Sequence, residues 1–410
     1  MTPFFQDLGR SVHTRWKAED FSLAAFPGIA AKLMEKRPPS RHVSPADLIR
    51  GFLLEEDHPF QTLSGFGQPE LILFDHPRFY IQALFWLDGT TDIHQHTFSG
   101  AFHVMAGSSL HTRFRFENRR PVTPRLHLGD LHPESTTLLP TGSTVPILSG
   151  AGCIHSLFHL ETPSVTVVIR THNDPGTDPQ FTYLPPHVAL DPLHQEALTL
   201  RRKQLLDVLE QTGDPSYADL LTRVIGEADL ESAFFLLQNG IGHLTASGEW
   251  ERLRKAFARR HPKAAAPVTA TLGEIIRRDA ITAMRSHIED VEHRFFLALL
   301  MNVPDRRSIL GMVKTRVKGD PAGTILRWAS ELLHETSDGL WILDACFPDE
   351  ITRGGARRGA DAPAIVTAAL SHFLRGGPLP APLRSLDARG RKECERILIA
   401  SSLGKLGATR

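Results

Sequence analysis

The tightest demand on how this chain folds comes from a histidine pair one residue apart, His94-Gln95-His96, set in a glycine-framed stretch from Gly89 to Gly107. Residues two apart in an extended strand point to the same face. A strand here would therefore project both imidazoles together, as two ligands of one metal must. Neutral imidazole suits iron, zinc, copper and nickel, so ligand type leaves the metal open. The chain has 21 histidines, and an isolated pair of this kind is better explained by two surface residues.

The surroundings favour the metal. An apolar strand, Phe79 to Leu87, precedes the pair, and Gly100 and Gly107 follow it. About fifty residues on, Pro146 and Gly150 lead to a further histidine, His155. This two-part layout resembles the cupin superfamily, a double-stranded jelly-roll barrel whose first motif supplies two histidine ligands and often a glutamate, and whose second supplies another histidine. Where that glutamate would fall, the chain reads Gly100-Ala101. The missing carboxylate, with the texture of IHQHTFSGAFHVMAGSSL and IHSLFHLETPSVTVVIRT, is similar to the thiol dioxygenase branch related to cysteine dioxygenase, which holds iron with three histidines. The resemblance spans roughly Phe79 to Thr171 and implies His94, His96 and His155 as metal ligands.

Further positions carry over. Ala101 stands where many cysteine dioxygenases place a cysteine, and Arg170 where they place the tyrosine that cross-links to it, so no such cross-link forms here. The upstream arginine that holds the substrate carboxylate in that family has no counterpart in register; Arg78 is the nearest. Arg170 is a candidate for the anion-binding role, since a guanidinium is a fixed fork suited to carboxylate; the alternative is a strand-end charge turned to water. For His103, two residues beyond Ala101, a hydrogen-bonded interior histidine is the favoured reading, with a fourth ligand or base as the alternative. His159, in what reads as a turn between strands, is a candidate for supporting a metal ligand or facing the substrate. His111, His127 and His132 have no spacing that singles them out.

The expected fold class is α+β and multidomain. A helical segment covers residues 1–65, a cupin β-barrel 66–185 and an all-α domain 190–410. Ser44-Pro45 opens a helix with a serine cap and proline at the first position. Short apolar or alternating runs at Leu71–Phe74, Phe79–Leu87, Ala101–Met105, Leu110–Phe116 and Val165–Ile169 indicate strands. The loop from Asn173 to Pro179, with Leu184-Pro185-Pro186 after it, marks the boundary. Beyond it, helices are expected at Pro192–Glu210, Pro215–Glu227 and Asp229–Gln238, and at a long one opened by a Thr271–Glu274 capping box. More follow at Gly323–His334, Gly339–Cys346, Ala362–Leu374 and Arg391–Leu403. Asp290-x-x-His293 and Glu331-x-x-His334 have the spacing of carboxylate-bridged dimetal bundles, a rival metal site.

Equal numbers of basic and acidic residues, 46 each, argue against nucleic acid or anionic membrane as partner. Three dispersed cysteines and no long apolar run fit a protein of the reducing cytoplasm. The resemblance implies a non-haem iron(II) dioxygenase with O2 as co-substrate and a small-molecule or peptide-borne thiol as substrate; a homodimer is left open. The alternatives are a non-redox lyase or isomerase using zinc or nickel as Lewis acid, and a ligand-binding or sensor protein.

Overall fold

Alternation in the apolar strands decides the architecture. In Phe79–Trp86, the odd positions Phe79, Ile81, Ala83 and Phe85 share one core with N-terminal helices, whereas Leu84 and Trp86 pack in a second core with Phe102, Leu157 and Val168. A strand apolar on both faces must lie between two layers. In the computed structural model, which describes residues 3–55, 57–62, 66–87, 89–193, 196–247, 249–335, 362–376, 378–384 and 386–407, it does so.

Four helices come first: α1 (Pro3–Lys17), α2 (Phe26–Lys36), α3 (Pro39–His42) and α4 (Pro45–Leu54). The α4 start is as expected, with a full capping box between Ser44 and Asp47. Eleven strands follow among the described residues: β1 (Glu70–His76), β2 (Phe79–Trp86), β3 (His94–His96), β4 (Gly100–Ala106), β5 (Ser109–Pro121), β6 (Leu126–Leu139), β7 (Thr144–Ile147), β8 (Gly150–His159), β9 (Ser164–Thr171), β10 (Thr182–Leu184) and β11 (Val188–Leu190). Five form a sheet in the order β1-β2-β9-β4-β7, and six close a ring in the order β10-β11-β6-β5-β8-β3. Helices α1 and α2 cover the outer face of the five-stranded sheet, where Phe5, Leu8, Trp16 and Phe26 pack on Phe79, Ala101 and Ile169. The fold is therefore α+β with a closed, cupin-like β-barrel, as expected.

The chain divides into two compact units, Met1–Ile275 and Ile276–Arg410. The Asn173–Pro179 loop does not end the barrel: β10 and β11 follow it and close the ring against β3 and β6. The first unit also holds α5 (Ala197–Gln211), α6 (Tyr217–Glu227), α7 (Leu230–Ser247) and α8 (Trp250–Arg260). Helix α9 (Ala265–His287) crosses the division, and α10 (Val291–Asn302), α11 (Arg306–Arg316), α12 (Pro321–Glu335), α13 (Ala362–Arg375), α14 (Ala381–Arg384), α15 (Ala388–Ala400) and α16 (Gly404–Gly407) follow.

Three expected helix starts differ; the helix expected from Arg391 begins at Ala388, capped by Asp387. Thr271 lies inside α9, fully buried, because helix already begins at Ala265 and the residue faces the core. The cap of α5 is Glu196, whose carboxylate accepts from the Leu198 and Thr199 amides, so the helix starts later than Pro192. The helix expected at Gly339–Cys346 lies outside the described residues. None of the described helices is long and apolar enough to cross a membrane.

Candidate metal centre

Three-residue β3 is held from both sides. Gln95 points away from the barrel interior, and its amide donates to the Pro179 carbonyl at 2.7 Å while its oxygen accepts from the Tyr183 hydroxyl at 2.6 Å. With Gln95 fixed, alternation turns His94 and His96 inward together. On β8, His155 is the direct cross-strand neighbour of His94. Register thus brings the third histidine alongside the first. One ligand atom from each of His94, His96 and His155 lies within 4.8 Å of the others, the only such group of three metal-ligand side chains found among the described residues.

All three rings are buried, at 2 to 5 % exposure. Burial lowers the pKa of His94 and holds His96 and His155 well below the usual histidine value, with neighbouring histidines adding to the effect. Each is neutral at pH 7, the state in which imidazole ligates a metal. The His94 Nδ1 lies 2.7 Å from the Asp92 carbonyl, which only accepts, so Nδ1 carries the proton. The His94 Nε2 therefore presents a lone pair, buried and without a hydrogen-bond partner. The Nε2 atoms of His96 and His155 face each other at 2.8 Å. A buried, unpartnered lone pair beside two facing ring nitrogens is a donor set that fits a cation. No carboxylate joins it: a Cβ on Gly100 would stand 2.1 Å from the Ile169 carbonyl oxygen, and Ala101 packs in the core beneath the helices, so neither position accommodates a glutamate aimed at the cluster.

A cavity of about 330 Å³ opens onto the cluster. Its walls are apolar, with Leu84, Trp86, Phe98, Phe102, Leu157 and Val168, and its polar lining includes Glu70, Tyr80, Gln82 and Arg170. Arg170 is on the interior face of β9 rather than turned to water. Its guanidinium carbon sits 3.4 Å from the Phe98 ring centre and 5.1 Å from that of Tyr80. Its hydrogen bonds are long ones, to the Thr171 and His172 carbonyls at 3.3 and 3.4 Å. Burial pushes its pKa down to about 10, so it stays a cation at pH 7.

His103 is not at the cluster. Its strand places Phe102 and Val104 in the interior, so His103 faces the helices with Ala101 and Met105. There its ring bonds to the Thr144 hydroxyl at 2.8 Å and the Ser40 hydroxyl at 2.9 Å. Strand parity turns it, with Ala101, away from the cluster, so it is no metal ligand; the other reading, a buried hydrogen-bonded histidine, is the one that fits. His159 lies within β8 rather than in a turn, so β8 runs on past the expected break. It faces inward but does not line the cavity; it stacks on Trp86, ring centres 4.7 Å apart, and shares a hydrogen bond with Ser109.

The residue that sequence reasoning passed over is His111. Its Nε2 lies 3.0 Å from the His155 Nδ1, and burial pushes its pKa down to about 4. A pairing of β5 with β8, unrecognised in the sequence, was the signal needed. Gln82, Tyr80 and Trp86 were legible from the parity of β2 alone. In the second unit the rival carboxylate and histidine pairs give His293 bonded to Glu331 at 2.8 Å; the side chain of His334 lies outside the described residues.

Fold and cluster together define the class: a cupin-like barrel carrying a buried three-histidine set able to hold a metal ion. No protein-family model matches the chain, and no curated protein matches it. Among solved structures it is similar to the capsular polysaccharide assembling protein CapF from Staphylococcus aureus, at 22 % identity over 28 % of this chain and 32 % of that one, with TM-score 0.18. It is also similar to the DMSP lyase DddQ from Ruegeria pomeroyi DSS-3, at 16 % identity over 43 % of this chain and 95 % of that one, with TM-score 0.24. The chain thus spans about a third of CapF, and neither likeness bears on its activity.

Proposed function

We propose that the protein is a non-haem iron(II) oxygenase of the thiol dioxygenase kind, acting on an anionic thiol with O2 as co-substrate. The observation that carries the reading is a buried cluster of three neutral histidines, free of carboxylates, at the foot of an apolar cavity that also holds the Arg170 cation. Three neutral ligands leave the charge of a divalent ion uncompensated, which favours an anionic group such as a thiolate in the open positions. When bound, iron would supply open positions that bring thiolate and O2 together; overall, RS⁻ and O2 give RSO2⁻, the sulfur losing the four electrons that O2 gains.

His94, His96 and His155 would hold the ion, their burial keeping each ring deprotonated at one nitrogen. Arg170, stacked between Phe98 and Tyr80, would receive an anionic group of the substrate and set its direction in the cavity. Trp86, Phe102 and Leu157 exclude water around the reacting sulfur. A cavity of about 330 Å³ suits a small molecule or the end of a peptide-borne thiol.

The test is oxygen uptake by iron(II)-loaded protein offered cysteine, 3-mercaptopropionate, cysteamine and a cysteinyl peptide, with sulfinate read by mass spectrometry. Thiol-dependent uptake with a mass gain of two oxygen atoms is expected. Retained iron with no thiol-dependent uptake would remove the oxygenase reading and leave a lyase, isomerase or ligand-binding role for the same cluster.

A further inference from the structure

We propose that His111 is a positioning residue for His155, accepting the His155 Nδ1 proton and so directing the His155 Nε2 lone pair into the cluster. The inference rests on the metal-binding reading of the three histidines.

Hydrogen accounting supports it. Both ring nitrogens of His155 face nitrogen: Nε2 is 2.8 Å from the His96 Nε2 and Nδ1 is 3.0 Å from the His111 Nε2. A neutral ring has one proton to give. Placed on Nε2, it would occupy the lone pair that faces the cluster and leave Nδ1 to accept from His111. Placed on Nδ1, it goes to the His111 Nε2 at 3.0 Å, the His111 proton then sits on Nδ1, and the His155 Nε2 lone pair is left for the cluster. A ring that gives Nε2 to a metal must in any case carry its proton on Nδ1, and His111 is the acceptor standing there.

The position of His111 is itself set by the fold. Its neighbours across β5 are Thr137 on β6 and Leu157 on β8, and the Phe102 ring meets it edge-on at 5.8 Å. A ligating histidine commonly gives its second N–H to a carboxylate or carbonyl, which fixes its orientation. Here the acceptor is a neutral imidazole. It orients His155 without adding negative charge, so the site keeps its preference for anionic ligands.

The experiment titrates cobalt(II) into the purified full-length protein, reading affinity by chelator competition and geometry by visible absorption. His111→Phe, which keeps the bulk and removes the acceptor, is expected to bind cobalt roughly 10- to 100-fold more weakly with an altered spectrum, and His111→Gln, whose Oε1 accepts, to recover most of both. A folded His111→Phe protein with wild-type affinity and spectrum overturns the proposal. In the zinc-loaded wild type, nitrogen-detected NMR is expected to place the His111 proton on Nδ1; finding it on Nε2 overturns the proposal independently of any variant. If the wild type binds cobalt no better than His94→Ala does, the metal-binding reading falls, and this inference with it.

Discussion

The Arg170 guanidinium carbon sits over the Phe98 ring, 3.4 Å from its centre, and no carboxylate closes an ion pair with it among the described residues. Coulombic support comes from Tyr80, Glu70 and Asp174, but burial outweighs it. Such a cation, positioned by a ring and left with long hydrogen bonds to carbonyls, is ready to receive an anion. Arg170→Ala should therefore raise the KM for an anionic substrate roughly 10- to 100-fold while metal content stays at the wild-type level. An unchanged KM in steady-state assays would return Arg170 to a packing role.

Loss of one ligand should empty the cluster. His94→Ala removes the ring whose Nε2 lone pair has no other partner, and metal measured by mass spectrometry on identically purified proteins should fall from about one ion per chain to near zero. Activity should fall with it. Stoichiometric metal in this variant would mean that the ion sits elsewhere.

His103 supplies a pH dependence away from the cluster. Burial lowers its pKa from 6.5 to about 4. Between those values the unfolded chain binds a proton that the folded chain does not, so this contribution to stability is fully present above pH 6.5 and is lost as pH falls towards 4. His103→Gln keeps hydrogen bonding but cannot titrate. Its urea midpoint should drop less than the wild type's between pH 7 and pH 5, and equal drops would show that His103 is not the group responsible.

The stack of His159 on Trp86 assigns His159 to the support of the cavity wall. His159→Phe should leave metal content and kcat within a few-fold of wild type. A folded, metal-loaded His159→Phe protein without turnover would instead make His159 part of the chemistry.

At Gly100 a methyl group would meet the Ile169 carbonyl oxygen at 2.1 Å. Backbone cannot swing aside as a side chain does, so Gly100→Ala should cost about 1–3 kcal/mol in denaturant melts. A neutral result would mean that β4 and β9 part more readily than their register implies.

Much of the site was legible because strand parity is local. The H-x-H spacing of His94 and His96, the run of β2 and the helix cap at Ser44 depend on neighbours within a few residues. Partner histidines were not legible in the same way. His155 was reached by resemblance to a motif, His111 was passed over, and His103 was assigned to the wrong side of its strand, since the face a residue shows is settled by which layer packs against it. Likewise β10 and β11 are too short to stand out, and they are strands only because β3 and β6 offer them edges.

By itself the sequence determined a strand with two histidines on one face, a β-rich middle between helical ends, and an even balance of charge. Only the tertiary structure decided that His155 lies across from His94, that His111 backs His155, and that Arg170 turns into the cavity beside Phe98. The reason is range: periodicity along the chain sets which side chains share a face, but the pairing of strands 44 to 61 residues apart, such as His111 with His155 and His94 with His155, is settled by closing the barrel around one core.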